Sequence, residues 1–116
     1  MNWRELKEEQ QLSEINRESS EKYVVIFKHS TRCSTSALAI NRLEREWQQS
    51  EMQSFAPYFL DILNYRSVSN RVAHEYEIEH ESPQVLVIKD GNCIYHTSHL
   101  GISYAEIRKL NGEISV

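Results

Sequence analysis

The sequence predicts an α/β fold: a four-stranded mixed sheet flanked by helices, with an additional N-terminal helix. Three observations carry this. Two continuous apolar runs, Tyr23 to Phe27 and Tyr58 to Leu63, have the β-branched and aromatic character of strands buried on both faces. Between them Ala37, Ile40, Leu43 and Trp47 recur at three and four residues, the spacing of an amphipathic helix. A third apolar run, Gln84 to Ile88, leads into Asp90-Gly91, a hairpin turn signal, and a returning antiparallel strand from Cys93 to His96.

The remaining elements follow in order. Trp3, Leu6, Leu12 and Ile15 lie at loose helical spacing among charges and predict a helix over about 2–19. Pro57 is acceptable at the start of the second strand, where one amide donor can be missing. Val68, Val72, Ala73 and Tyr76 mark another helix, with Asn64 or Ser67 as its cap. Tyr104, Ile107 and Leu110 close the chain with a helix. The expected organisation is one domain over 1–116 with its core at about 22–112, since 116 residues can bury one continuous core.

Composition narrows the function. A formal net charge of −4 without a stripe of Lys and Arg argues against a nucleic-acid partner. Charges crowd the first fifteen residues, and no apolar run approaches ~18 residues, so a cytoplasmic protein without a membrane partner is expected. Cys33 and Cys93 are too few for a disulfide scaffold and lack paired metal-site spacing, which fits a reducing compartment. His96 and His99, three apart in or just beyond a strand, point oppositely, so no metal site is expected. His74 and His80 read as solvated or helix-terminal.

The chemistry concentrates at Cys33, which falls between a buried strand and a helix. A helix N-terminus presents unpaired N–H groups and the positive end of the macrodipole, and such settings lower a thiol pKa from ~8.5 into the range of about 3.5 to 7.5. Arg32 and Lys28 add positive charge, while the hydroxyls of Ser34, Thr35 and Ser36 can donate to the sulfur or cap the helix. The bland alternative, a small core residue, fits poorly with flanking Ser30, Thr31, Arg32, Ser34 and Thr35. His29 serves either as a base or cationic neighbour, or as the strand end that fixes the bend by hydrogen bonding. Cys93, at the start of a hairpin strand, reads as a small hydrophobe.

The strand–Cys33–helix unit, followed by Ser82-Pro83, an apolar strand, Asp90-Gly91 and a return strand, resembles the thioredoxin superfamily over roughly residues 22–112. That resemblance implies a thioredoxin-like fold with a cis Pro83 beside the reactive cysteine, and a Ser82 backbone that pairs with an extended substrate segment. FKHSTRC, YFLDILNYRSVSN, HESPQVLVIKDG and YHTSH further resemble the monothiol bacilliredoxin, or YtxJ-like, family. A common form of its motif reads Thr-Cys-Pro-Ile-Ser; here Arg32-Cys33-Ser34-Thr35-Ser36 keeps the cysteine and the last serine but lacks the proline.

The resemblance implies a thiol-disulfide oxidoreductase of monothiol type. Cys33 would remove bacillithiol or another low-molecular-weight thiol, the co-substrate, from S-thiolated client proteins, with no bound cofactor. Dithiol relatives carry a second cysteine three positions after the first, where this chain has Ser36, so a second small thiol or a partner reductase would regenerate Cys33. Two alternatives remain: a monothiol thioredoxin-fold protein holding an iron-sulfur cluster between two subunits, and a redox sensor or interaction module without turnover.

Overall fold

A computed structural model describes residues 1–114, with side chains through 111. Its elements are β1 (Arg4–Glu5), α1 (Gln11–Glu18), β2 (Tyr23–His29), α2 (Ser34–Glu46), β3 (Phe55–Asp61), α3 (Arg66–Tyr76), β4 (Gln84–Lys89), β5 (Asn92–Ser98), a 3₁₀ turn at His99–Gly101, and α4 (Tyr104–Ile114). The strands form one five-stranded mixed sheet in the order β1-β3-β2-β4-β5. β2 is central, parallel to β3 and antiparallel to β4, while β4 and β5 form the hairpin.

The alternation of side chains along β2 divides the core in two. Tyr23, Val25 and Phe27 join Ala39, Ile40 and Leu43 of α2 and Ile107 and Leu110 of α4 on one face. Val24 and Ile26 join Leu12 and Ile15 of α1 and Val68, Val72 and Tyr76 of α3 on the other. A strand covered on both faces needs apolar residues at every position, which is why Tyr23 to Phe27 reads as an unbroken run. Each large side chain buried there contributes roughly 1.5–3 kcal/mol relative to exposure.

Several expectations are corrected. Among the described residues there are five strands rather than four, because the first residues are not helical as far as the spacing suggested. Arg4 and Glu5 pair with Tyr58 and Phe59 of β3, and the Leu6 N–H donates to Phe59 O at 2.9 Å. Trp3 packs against Phe27 and Phe59 on one face while Leu6 enters the other core, as odd-numbered spacing in an extended segment requires. The helix is confined to Gln11–Glu18, and Gln11 knits the bend by accepting the N–H groups of Lys7 and Glu8. Pro57 lies inside β3 rather than before it, where β1 does not reach and the strand is an edge.

In α2, Ala37 is exposed, and Ser36 and Ala39 are buried in its place. Neither Asn64 nor Ser67 caps α3. Tyr65 holds the N-cap without a side-chain bond, and Asp61 Oδ1 instead accepts the N–H groups of Leu63 and Asn64. The Asp90-Gly91 turn has φ of 52° and 76°, the positive pair of a type I′ hairpin. No helix among the described residues is long and apolar enough to cross a membrane.

Candidate active site

The register brings the chemistry to one end of the sheet. Lys28 near the end of β2 faces Gln84 at the start of β4, so the turn 30–33 and the Ser82-Pro83 segment leave the sheet at the same edge. The Ser82-Pro83 peptide is cis, and Pro83 is buried. Pro83 O accepts the His99 N–H at 3.0 Å, and the 3₁₀ turn that His99 opens rests against α2. Helix start, proline loop and 3₁₀ turn therefore surround one mouth.

Cys33 is the N-cap residue of α2, extended at φ −115° and ψ 116°, and partly exposed. Its N–H donates to Ser30 O at 3.2 Å and its carbonyl accepts the Ala37 N–H at 3.1 Å, so the turn is closed on both sides of the sulfur. No side-chain cap bond is made to the first turn, and that turn holds no acidic residue. The amides of Ser34, Thr35 and Ser36 are the first-turn donors that helical bonding leaves over. The sulfur thus occupies the side-chain position from which Ser, Asp or Asn ordinarily accepts such amides.

Beneath the turn, Ser36 is fully buried. Its Oγ accepts the Ser30 N–H at 3.1 Å and lies 2.7 Å from His29 Nδ1. Ser36 Oγ thus binds both the Ser30 N–H and the His29 ring, tying the end of β2 to the first turn of α2. Burial lowers the His29 pKa, opposed by the charges of Asp61 and Glu44. His29 therefore fixes the bend, the second of its two readings, and the hydroxyl three residues after Cys33 is spent on holding it.

The remaining candidates are distributed differently. Ser34 and Arg32 are exposed, Thr35 is partly exposed, and none of the three side chains bonds to Cys33. Lys28, expected to add positive charge near the thiol, instead faces the other layer of the sheet. It is fully buried on the α3 side of the sheet, where Nζ donates to Ser69 O at 3.2 Å and lies 3.2 Å from His80 Nδ1. Burial pushes its pKa down to about 8. His80 is exposed, as its solvated reading expected, but its ring nitrogen also meets the buried Lys28, a contact that linear reading missed. Burial, then the Lys28 charge, lowers the His80 pKa.

Ser82 is partly exposed, and among the described residues its backbone makes no hydrogen bond. Cys93 is half-buried against the α1–α3 core, donates to Tyr95 O at 3.3 Å, and has its thiol pKa raised by burial. It is the register partner of Ile88, four residues along β4 from Gln84, or about 13 Å at the rise of a strand. Among the described residues no three His, Cys, Asp or Glu side chains gather as a metal-binding cluster.

A partly exposed cysteine at a helix start, with a cis-proline loop at the same end of the sheet and within this strand order, is the arrangement of a thiol oxidoreductase of thioredoxin fold. Solved structures agree on the fold. One described as having a thioredoxin fold superposes with a TM-score of 0.77 at 24% identity over 92% of this chain and 91% of its own. Thioredoxin of Malassezia sympodialis gives 0.75 at 14% identity over 99% and 92%. That of Trypanosoma brucei brucei gives 0.74 at 14% over 99% and 93%. Residues 4–107 match the family Monothiol bacilliredoxin BrxC, and the chain belongs to that family.

Proposed function

We propose that Cys33 removes bacillithiol, or a small thiol like it, from S-thiolated client proteins. The Cys33 thiolate attacks the small-thiol sulfur of the mixed disulfide. A new S–S bond joins Cys33 to the small thiol as the old one breaks, and the client cysteine leaves as thiolate. A second small-thiol molecule, as thiolate, or a partner reductase then attacks the adduct, taking the small thiol into a new disulfide and freeing Cys33. No bound cofactor enters either step.

The observation that carries this reading is the pairing of Cys33 with Ser36. Serine forms no disulfide, and its hydroxyl is engaged with Ser30 and His29. The register distance and burial of Cys93 oppose its use as an internal resolver. The adduct therefore waits for an external thiol, which is monothiol chemistry.

Intact-mass measurement after mixing with a bacillithiolated client tests the proposal. The parent protein should gain one bacillithiol while the client loses it, and Cys33→Ser should gain none. An adduct that persists in Cys33→Ser, or a parent protein that collects an internal disulfide, overturns the assignment.

A further inference from the structure

At the loop 77–83 lies a polar cluster, buried at Lys28, Ser69 and Gln84 and exposed at His80, that takes no part in exchange at Cys33. Lys28 and Gln84 are register partners on β2 and β4, with exposures of 0% and 1%. Both reach the same loop. Gln84 Nε2 donates to Glu79 O at 3.0 Å, and Gln84 Oε1 accepts the Glu81 N–H at 3.4 Å. Lys28 Nζ donates to His80 Nδ1 across 3.2 Å, and Ser69 Oγ lies 3.4 Å from that same nitrogen. Donors converging on Nδ1 place the His80 hydrogen on Nε2.

Among the described residues Lys28 has no carboxylate partner, so its ammonium is buried without a counter-ion. Such a group costs folding free energy that an apolar side chain of similar length would not. What it secures in return is the loop carrying Ser82 and Pro83, two and three residues beyond His80.

We propose that Lys28 is a positioning residue for client docking: through His80 it holds the Ser82 backbone in place for pairing with the main chain of an extended polypeptide. The idea rests on Cys33 being the exchange nucleophile and extends it to what the mouth recognises. The unbonded Ser82 backbone offers an acceptor and a donor to an added strand, the main-chain mode of peptide recognition. Client affinity then depends on Lys28, whereas the sulfur chemistry, on the opposite side of β2, does not.

A chromogenic probe separates the two without any bacillithiol. A decapeptide with one cysteine, disulfide-linked to thionitrobenzoate, is mixed with excess reduced protein. Cys33 thiolate attacks the peptide sulfur, the peptide–thionitrobenzoate bond breaks, and thionitrobenzoate leaves as its coloured anion. The symmetric nitrobenzoate disulfide reports Cys33 without a peptide to dock. Lys28→Met should raise the half-saturating protein concentration for the peptide probe about tenfold, the loss of roughly one hydrogen bond's worth of order in the loop. The saturated rate, the rate with the symmetric disulfide and the melting temperature should not fall. His80→Ala, which leaves the strand untouched, should shift the same parameter in the same direction.

Unchanged half-saturation in both variants overturns the inference, as does an equal slowing of peptide and symmetric probe, which would place Lys28 in the service of the sulfur. Normal peptide saturation without bacillithiol removal by the parent protein would overturn the exchange reading alone and leave the docking role standing.

Discussion

Lys28 and His29 are neighbours in the chain, yet they serve opposite walls of the site. Strand alternation turns His29 toward α2, where it braces Ser36 and the Cys33 turn, and turns Lys28 toward α3, where it braces His80 and the proline loop. His29 is partly exposed, whereas Lys28 is sealed. One dipeptide at the end of a central strand can therefore hold both a nucleophile and a docking edge, because consecutive residues of a strand face different layers.

The largest test removes what the two walls enclose. Cys33→Ser should abolish thiol transfer altogether while leaving the circular dichroism spectrum unchanged, as read by thionitrobenzoate release and intact mass. Retained turnover would mean that the walls enclose the wrong atom.

Next comes the charge. Lys28 has a folded pKa near 8, below the ordinary 10.5, so between those values the unfolded chain binds more protons than the native one. Stability therefore rises with pH through that window and is reduced below pH 8, by an amount on the order of 3 kcal/mol for a shift of this size. Tyr58, Tyr76 and Cys93 have raised pKa values and act in the opposite sense in alkali, so the useful quantity is the parent minus Lys28→Met. Urea melts from pH 7 to 10 should show the variant more stable at pH 7 and the difference closing as pH rises. A pH-independent difference would show that the native lysine is not the titrating group.

On the other wall, Ser36→Ala strips the acceptor from the buried Ser30 N–H and the hydrogen-bond partner from His29. A loss of about 1–3 kcal/mol is expected from urea melts, with slower reaction of Cys33 as its turn loosens. Ser36→Thr, which keeps the hydroxyl, should recover part of both if the extra methyl can be packed.

The smallest effect belongs to Cys93. Cys93→Ser should leave thionitrobenzoate release by Cys33 intact and change stability by about 1 kcal/mol or less, since only a half-buried sulfur is exchanged. A large drop in exchange would draw β5 into the mechanism.

How much of this was legible before folding varies with the kind of signal. β2, α2 and β4 were readable because burial on both faces, or on one stripe, writes itself as a run or a 3.6-residue period. The hairpin was readable from Asp90-Gly91, where backbone chirality restricts the residues. The β1 segment was not: Trp3 and Leu6 three apart suit a helix turn and also an extended strand with opposed faces, and pairing with Tyr58 and Phe59 decides between them. Asp61 capturing Leu63 and Asn64 displaced the expected cap of α3 for a similar reason, since nearby polar side chains compete for the same amides.

Cys33 at a helix start and Ser36 three residues on were visible as residue types at a spacing, and with them a nucleophile without a neighbouring thiol, because local chain geometry places both. Where Lys28 points, that His80 meets it 52 residues away, and that Cys93 stands some 13 Å up the sheet are properties of register and layer. Those depend on which strands become neighbours, a long-range choice made by burying two cores at once, and no short stretch of chain contains it.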